Sequence, residues 1–547
     1  MPLIGLLAKC TRFLRSWHQN DRARDFICHN QRIFTASGDE RRGDGIVLME
    51  LNDMASSHIA YSYLSNVLAD VSHSRIWAYY PRTLDGRLQS FFFKLRARLR
   101  RGVFGIYSSF GVSKFIAIHP SQAQRDRAES LLEGLLPQLV SKEALENVQI
   151  DGVWIGDLIY DTYLRRFHRP TVDLRCPEFI GFLRESVELF VYWHDFFRNH
   201  DVRGINVSHC VYNLAMPLRI AIQNAVPAFQ SSATHIYRLN KDNYFAYNDF
   251  HCFPQRFAKL PAEVQERGLK EAKQRIDRRF AGEVGVDMSY STKSAYGAAR
   301  HKRLLATSSR KKILIATHCF FDSPHSYGKN VFPDFYEWLS FLGSISEQTD
   351  YDWYIKTHPD YLPGTKQIID DFIRRFPRFS LLPSDASHLQ IVGEGIDFAL
   401  TVYGTIGFEY AALGIPVINN SPNNPHVAYG FNLHAKSVHE YRQLLMGLNN
   451  LNFTINKKDV LQYYFMRYIF NTNNLFFDDY DAVIKELGGY REQFQPPIYT
   501  QWLIAWSPEK HELIRSGLKN FIESQDFRMD YTHLGREFAL AQKEDAA

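Results

Sequence analysis

Two short stretches hold the side chains best suited to chemistry on a phosphate: Lys356-Thr357-His358-Pro359 and Tyr403-Gly404-Thr405-Ile406-Gly407. Each closes an apolar run that reads as a strand, Trp353–Ile355 and Ile396–Val402. Pro359 cannot continue a ladder and biases His358 away from helix, so the imidazole belongs at the strand's carboxyl edge. After the second strand a glycine-rich turn opens a helix over Phe408–Leu413, which Gly414 ends before Pro416-Val417-Ile418 begins another strand. Backbone N–H groups and the helix dipole at such a turn favour a bound phosphate. Open α/β sheets bind ligands at the carboxyl ends of their strands, so His358 and Thr405 are expected to face one crevice. Glu409, one turn into the helix, either meets the ligand or complements the dipole.

Further candidates lie outside these turns. The strand Ile313–His318 is followed by a loop carrying Asp322, Ser323, His325, Gly328 and Lys329, placed to meet phosphates unless it is only a surface loop. In the first half, Asp151 ends a strand, and Asp157 and Asp161 follow four apart, on one face near the start of a helix. One of them facing the cleft would serve as a base; as helix-start acids they need no chemistry. His209 ends the strand Gly204–Ser208, facing the same cleft or satisfied structurally. Asp157 is the preferred base, with Asp151, Asp161 and His209 behind it.

The combination of a His-Pro strand end, a G-T-x-G turn and Glu409 five residues before G-I-P resembles the nucleotide-binding half of GT-B glycosyltransferases that make bacterial surface polysaccharides. The His-Pro pair resembles that of sialyltransferases, capsule Kdo transferases and CDP-glycerol polymerases, which use cytidine nucleotides. The resemblance covers roughly residues 312–445. It implies a nucleotide site made by His358, Pro359, Lys356, Tyr403, Gly404, Thr405, Glu409, Ser323 and His325, with Glu409 on a ribose hydroxyl. It also implies a nucleotide-sugar co-substrate, no required metal, and carboxyl-terminal helices that cross back onto the first domain. Two departures bear on the donor: a lone Ile150-Asp151-Gly152 replaces a doubly acidic motif, and Tyr403-Gly404-Thr405 replaces serines at the phosphate turn.

With 547 residues the chain exceeds one core, and strands alternate with helices in both halves. The expected fold class is α/β, with two Rossmann-like domains facing across a cleft plus carboxyl-terminal helices. The expected divisions are an amphipathic basic arm (1–40), an acceptor domain (41–262), a linker (263–311), a nucleotide-sugar domain (312–456) and helices that pack back (457–547). A net charge of +5 is too small to suggest nucleic acid. Six scattered cysteines without C-x-x-C spacing suggest reduced thiols and a cytoplasmic protein. No apolar run reaches about 18 residues, so no membrane-spanning helix is expected. Met1–Trp17, with Leu3, Leu6, Leu7, Cys10, Phe13, Leu14 and Trp17 near one helical face, reads as docked on the domain or lying on an anionic membrane. The run Phe91-Phe92-Phe93 followed by Lys94, Arg96, Arg98, Arg100 and Arg101 offers a second place for lipid headgroups or an anionic acceptor.

The expected reaction is transfer of a sugar from a nucleotide, with CMP-activated Kdo or another nonulosonic acid foremost, onto a growing glycan or glycolipid at the inner membrane's cytoplasmic face. Alternatives are a UDP- or GDP-hexose donor, a CDP-polyol phosphotransferase, a nucleotide-sugar 2-epimerase, or a non-catalytic assembly partner.

Overall fold

The computed structural model describes residues 20–34, 43–84, 86–288, 291, 293–297, 301–357, 363–471 and 474–537. The amino-terminal stretch Met1–Trp17 and the pair His358-Pro359 lie outside these.

Apolar, β-branched runs make two six-stranded sheets. The first holds β1 (Gly45–Glu50), β2 (Ser74–Thr83), β3 (Val112–Ile118), β6 (Val202–Val207), β7 (Ala228–Ser231) and β8 (Ile236–Leu239), in the order β3-β2-β1-β6-β7-β8. All neighbours are parallel except the β7–β8 hairpin. A small antiparallel ribbon, β4 (Gln149–Ile150) with β5 (Val153–Trp154), sits between β3 and β6 in the chain. The second sheet holds β9 (Lys312–Ala316), β10 (Asp352–Lys356), β11 (Phe379–Leu381), β12 (Phe398–Thr401), β13 (Val417–Asn419) and β14 (Leu433–His434). It is wholly parallel, in the order β11-β10-β9-β12-β13-β14. Counted within itself that order is 3-2-1-4-5-6, the doubly wound Rossmann arrangement. The fold is therefore GT-B: two Rossmann-like domains with helices returning from the carboxyl terminus.

Both sheets reverse strand order beside their first strand, between β1 and β6 and between β9 and β12. A crevice opens outside the carboxyl ends of the strands at such a switch point. The residues just after Glu50, Val207, Ala316 and Thr401 thus border these two crevices.

The helix Ala55–Val71 is buried continuously from Ala55 to Ala69 because it is covered on both sides. One cover is the first sheet; the other is Pro497–Ala505 and Pro508–Ser524, whose Tyr499, Trp502, Leu518 and Phe521 share a core with Ile59, Leu64 and Val47. Full burial of each such side chain stabilises by about 1.5–3 kcal/mol. The segment after the last helix also joins the first sheet, Met529 N–H donating to the Ile236 carbonyl and Arg238 N–H to that of Phe527. The chain between the sheets is no free tether: Ala262–Phe280 is a helix whose Gly268 lets the Phe465 ring approach where a Cβ would stand 2.6 Å from it. Among the described residues no helix is long and apolar enough to cross a membrane.

Candidate active site

At the switch point of the first sheet, β1 ends on Glu50 and β6 on Val207, in a register that pairs Met49 with Asn206. Glu50, only 3% exposed, accepts from the Ser208 N–H (2.7 Å) and bonds the Ser208 hydroxyl (2.8 Å). Ser208 Oγ is in turn 2.8 Å from His209 Nδ1, and the His209 ring is open to solvent in the cleft. Burial raises the Glu50 carboxyl to about 7, although the two bonds from Ser208 pull against it. Loss of hydration lowers His209, with the Asp322 charge opposing, so the ring is neutral at neutral pH and able to accept a proton.

The direction of the hydrogen bonds follows from one hydroxyl proton. With Glu50 ionised, Ser208 donates to it and accepts from His209 Nδ1–H, leaving Nε2 as a free lone pair. With Glu50 protonated, the chain reverses: Ser208 donates to Nδ1, and the proton moves to Nε2. Only the ionised chain presents a base to the cleft, and it also stabilises the imidazolium that forms.

The facing site lies at the carboxyl edge of the second sheet, a cavity of about 520 Å³ lined by Thr317, His318, Lys356, Thr401, Gly404 and Thr405. Lys356 is 4% exposed, and its ammonium donates to the Ser384 carbonyl at 2.9 Å. No carboxylate of the described residues pairs with it. Burial lowers it to about 8, the Asp385 charge partly offsetting, so it is mostly charged at neutral pH. A buried cation without a counter-ion beside a cavity is suited to a phosphate.

The turn is braced from behind. Gly404 N–H donates to Thr401 Oγ1 (3.2 Å) and Val402 N–H to His318 Nε2 (3.2 Å), while His318 stacks on Phe335 with centroids 4.6 Å apart. A Cβ on Gly404 would meet Thr401 Oγ1 at 2.8 Å, and one on Gly407 would collide with the His426 ring. Both glycines thus allow close packing, and Gly407 lets the helix Ile406–Leu413 approach His426. Tyr403 donates to the Ser323 carbonyl (2.9 Å) and forms a wall with Tyr327. Glu409 lines the cavity but is paired with Arg279 of the helix Ala262–Phe280, so that helix closes one side.

Five expected residues stand elsewhere. Asp157, the preferred base, is 1% exposed and holds Arg219 Nη2 at 2.6 Å. That guanidinium stacks 4.8 Å from both the Trp154 and Tyr244 rings. It is a structural ion pair of the first domain, because the helix turns this face into the core. Asp161, on the same face, reaches the other domain and bonds His325 Nδ1 (2.5 Å) and the Ser323 hydroxyl. Glu146 takes His325 Nε2 at 2.6 Å. Ser323 and His325, expected at the phosphates, are therefore buried bolts between the domains. Asp151 lies on an exposed turn at φ 51°, 3.5 Å from His194 Nε2. The relay's Glu50 and Ser208 are absent from the expected set; their only signals are a lone charge ending I-V-L-M-E and a hydroxyl beside His209.

Among the described residues no cluster of three or more His, Cys, Asp or Glu could hold a metal ion.

No protein-family model matches the sequence, and no curated protein does either. Among solved structures, KpsC, the beta Kdo 2,4 transferase of Thermosulfurimonas dismutans, is similar at 9% identity and a TM-score of 0.30, covering 48% of this chain and 79% of that one. The UDP-GlcNAc 2-epimerase of Neisseria meningitidis is similar at 9% identity and a TM-score of 0.20, over 77% and 98%. The glycotransferase of kitacinnamycin is similar at 10% identity and a TM-score of 0.20, over 78% and 95%.

Proposed function

We propose that the protein is a glycosyltransferase that binds a nucleotide sugar at the second sheet and deprotonates an acceptor hydroxyl with His209. The observation that carries this reading is the Glu50–Ser208–His209 chain; the nearby Tyr212 hydroxyl donates to Asp322 at 2.6 Å, and Asp322 is a wall of the Lys356 cavity. A base on one sheet edge and a cation with no paired carboxylate on the other match the two ends of an inverting displacement. His209 Nε2 takes the acceptor proton, the new glycosidic bond forms at the anomeric carbon, and the bond to the nucleotide phosphate breaks. Lys356 and the backbone N–H groups at Thr405 take the charge appearing on that phosphate. His358 lies outside the described residues and is assigned to the same phosphate only by its place after Lys356 and Thr357. Glu409, held by Arg279 at the cavity wall, is assigned to a ribose hydroxyl. The donor is a CMP-activated Kdo or another nonulosonic acid, a choice supported by the His-Pro resemblance; the acceptor is a growing surface glycan or glycolipid.

A donor panel tests this. CMP-, UDP- and GDP-sugars are incubated with and without acceptor, and nucleotide release and melting temperature are recorded. The expected result is stabilisation by CMP of about 2.7 kcal/mol at 100 times its dissociation constant, with release that needs acceptor. Stabilisation by UDP alone would reassign the donor, and an epimerised sugar formed without acceptor would replace transfer by epimerisation.

We place this chemistry at an anionic membrane surface. On the helix Arg87–Arg98 and the residue after it, Leu88, Phe91 and Leu99 are 73%, 58% and 51% exposed. At 100° per residue they share one face, bordered by exposed Lys94, Arg98, Arg100 and Arg101. Such a stripe suits an interface with acidic lipid, each cation contributing about 1 kcal/mol near the surface. The protein is expected to sediment with phosphatidylglycerol vesicles and not with pure phosphatidylcholine, and Phe91→Asp to lose most of that binding. Equal partitioning of the variant would exclude this face.

A further inference from the structure

A second cavity, of about 210 Å³, lies between the β7–β8 hairpin and the carboxyl-terminal helices, lined by His235, Tyr237, Tyr247, Arg467, Asn471 and Arg528. Arg467 belongs to Phe465–Phe470, a π-helical turn that continues the helix Lys457–Tyr464. Such turns widen the backbone and re-aim side chains, often where ligands bind. Its guanidinium lies 5.6 Å from the centroid of the Tyr247 ring and donates, at 3.5 Å, to the Tyr247 carbonyl. No carboxylate of the described residues pairs with it, so most of its five donors remain for something in the cavity.

The acids nearby are otherwise placed. Asp287 is held by Arg275 Nη1 at 2.7 Å and by the Tyr464 hydroxyl at 2.6 Å. Asp249 lies 3.7 Å from Arg528 and 3.9 Å from Arg256. Asp481 is exposed at the cavity edge. Tyrosine faces surround the two guanidiniums, the Arg528 guanidinium standing 5.3 Å from the Tyr237 centroid. A fork of donors and flat aromatic walls form a pocket for an acidic group on a small polar ring, whose hydroxyls rather than its charge would face the Asp481 carboxyl at the mouth.

Its position relates it to the first site. Met288 lines both cavities, and Cys210 Sγ, next to His209 in the chain, accepts from the Ala246 N–H at 3.3 Å, beside Tyr247 of the cavity wall. We infer that this cavity binds the acidic group, carboxylate or phosphate, of an acceptor sugar, with Arg467 as its principal anchor, so that a hydroxyl of that sugar reaches His209. The acceptor role rests on the reading of the protein as a transferase; the anion site itself does not.

Calorimetric titration tests it with glucuronate, glucose 1-phosphate and glucose, each with CMP present to fill the Lys356 cavity. The wild type is expected to bind at least one acidic sugar 10-fold or more tightly than glucose. Preference for glucuronate identifies a carboxylate ligand, and preference for glucose 1-phosphate a phosphate. Arg467→Gln is expected to lose 10-fold or more for that sugar with CMP affinity unchanged, which also shows that the variant is folded. Arg467→Lys keeps the charge without the fork and should fall between the two. Binding of acidic sugars no tighter than glucose, or wild-type affinity in Arg467→Gln, overturns the inference. Absence of CMP binding with the acidic-sugar preference intact would instead remove the donor assignment and leave this site standing.

Discussion

His209→Asn is expected to lower turnover by about 10²–10⁴-fold while leaving nucleotide affinity within a factor of two, measured by product formation and by calorimetry. The residue holds no part of the nucleotide cavity, and its ring is exposed, so its removal costs a proton acceptor rather than packing. The same chain fixes the pH dependence. Because burial raises Glu50 to about 7, the ionised relay forms as pH rises through that value, and the rate should climb with it. Below it, the protonated carboxyl drives Ser208 to donate to Nδ1 and takes the lone pair from Nε2. Glu50→Gln has no such step: its profile should lose the rise near pH 7 and remain low throughout. A rise of unchanged position in Glu50→Gln would assign that ionisation to another group.

His325→Ala is expected to destabilise the protein by about 3–5 kcal/mol, the cost of stranding two buried carboxylates that shared one cation. His325 is completely buried, with Asp161 on Nδ1 at 2.5 Å and Glu146 on Nε2 at 2.6 Å. With both carboxylates ionised, both ring nitrogens donate and the ring is an imidazolium. Burial alone would lower its pKa, but Asp161 and Glu146 outweigh that and hold it well above the usual histidine range. A raised folded value means the stabilisation is fully present below about pH 6.5 and is lost as pH rises through the higher value. The difference between wild type and variant in chemical denaturation should therefore be largest at neutral pH and below, and shrink on the alkaline side. The ring joins Glu146 and Asp161 of the first domain to the loop after β9. Tyr160 and Thr171 bond Asp334 across the same seam at 2.5 and 2.6 Å. The variant should accordingly show calorimetric unfolding in two separated transitions. A single transition at the wild-type temperature would show that the seam is held by other contacts.

Much of the scaffold is readable before folding. The apolar runs Trp353–Ile355 and Ile396–Val402 and the run ending at His209 announce strands, and the glycine-rich turn announces the helix that follows. Strand ends at a switch point are where such folds bind ligands, and that rule alone points to His209 and Lys356. Pairing across space is what the sequence withholds. Glu50 and Ser208 are 158 positions apart, and only the pairing of β1 with β6 brings them together. The spacing of Asp157 and Asp161 correctly places both on one face, but periodicity does not say whether that face meets solvent, Arg219 or another domain. Ser323 and His325 have the residue types of a phosphate loop; the same hydroxyl and imidazole serve equally well as buried bolts once two carboxylates face them.

The position of the nucleotide decides the chemistry proposed for both sheets. Diffraction from crystals soaked with CMP should show its phosphate within hydrogen-bonding distance of Lys356 and the Gly404–Thr405 turn, with the face towards His209 left open for a sugar. A nucleotide held at the first sheet, or beside Arg467, would contradict it.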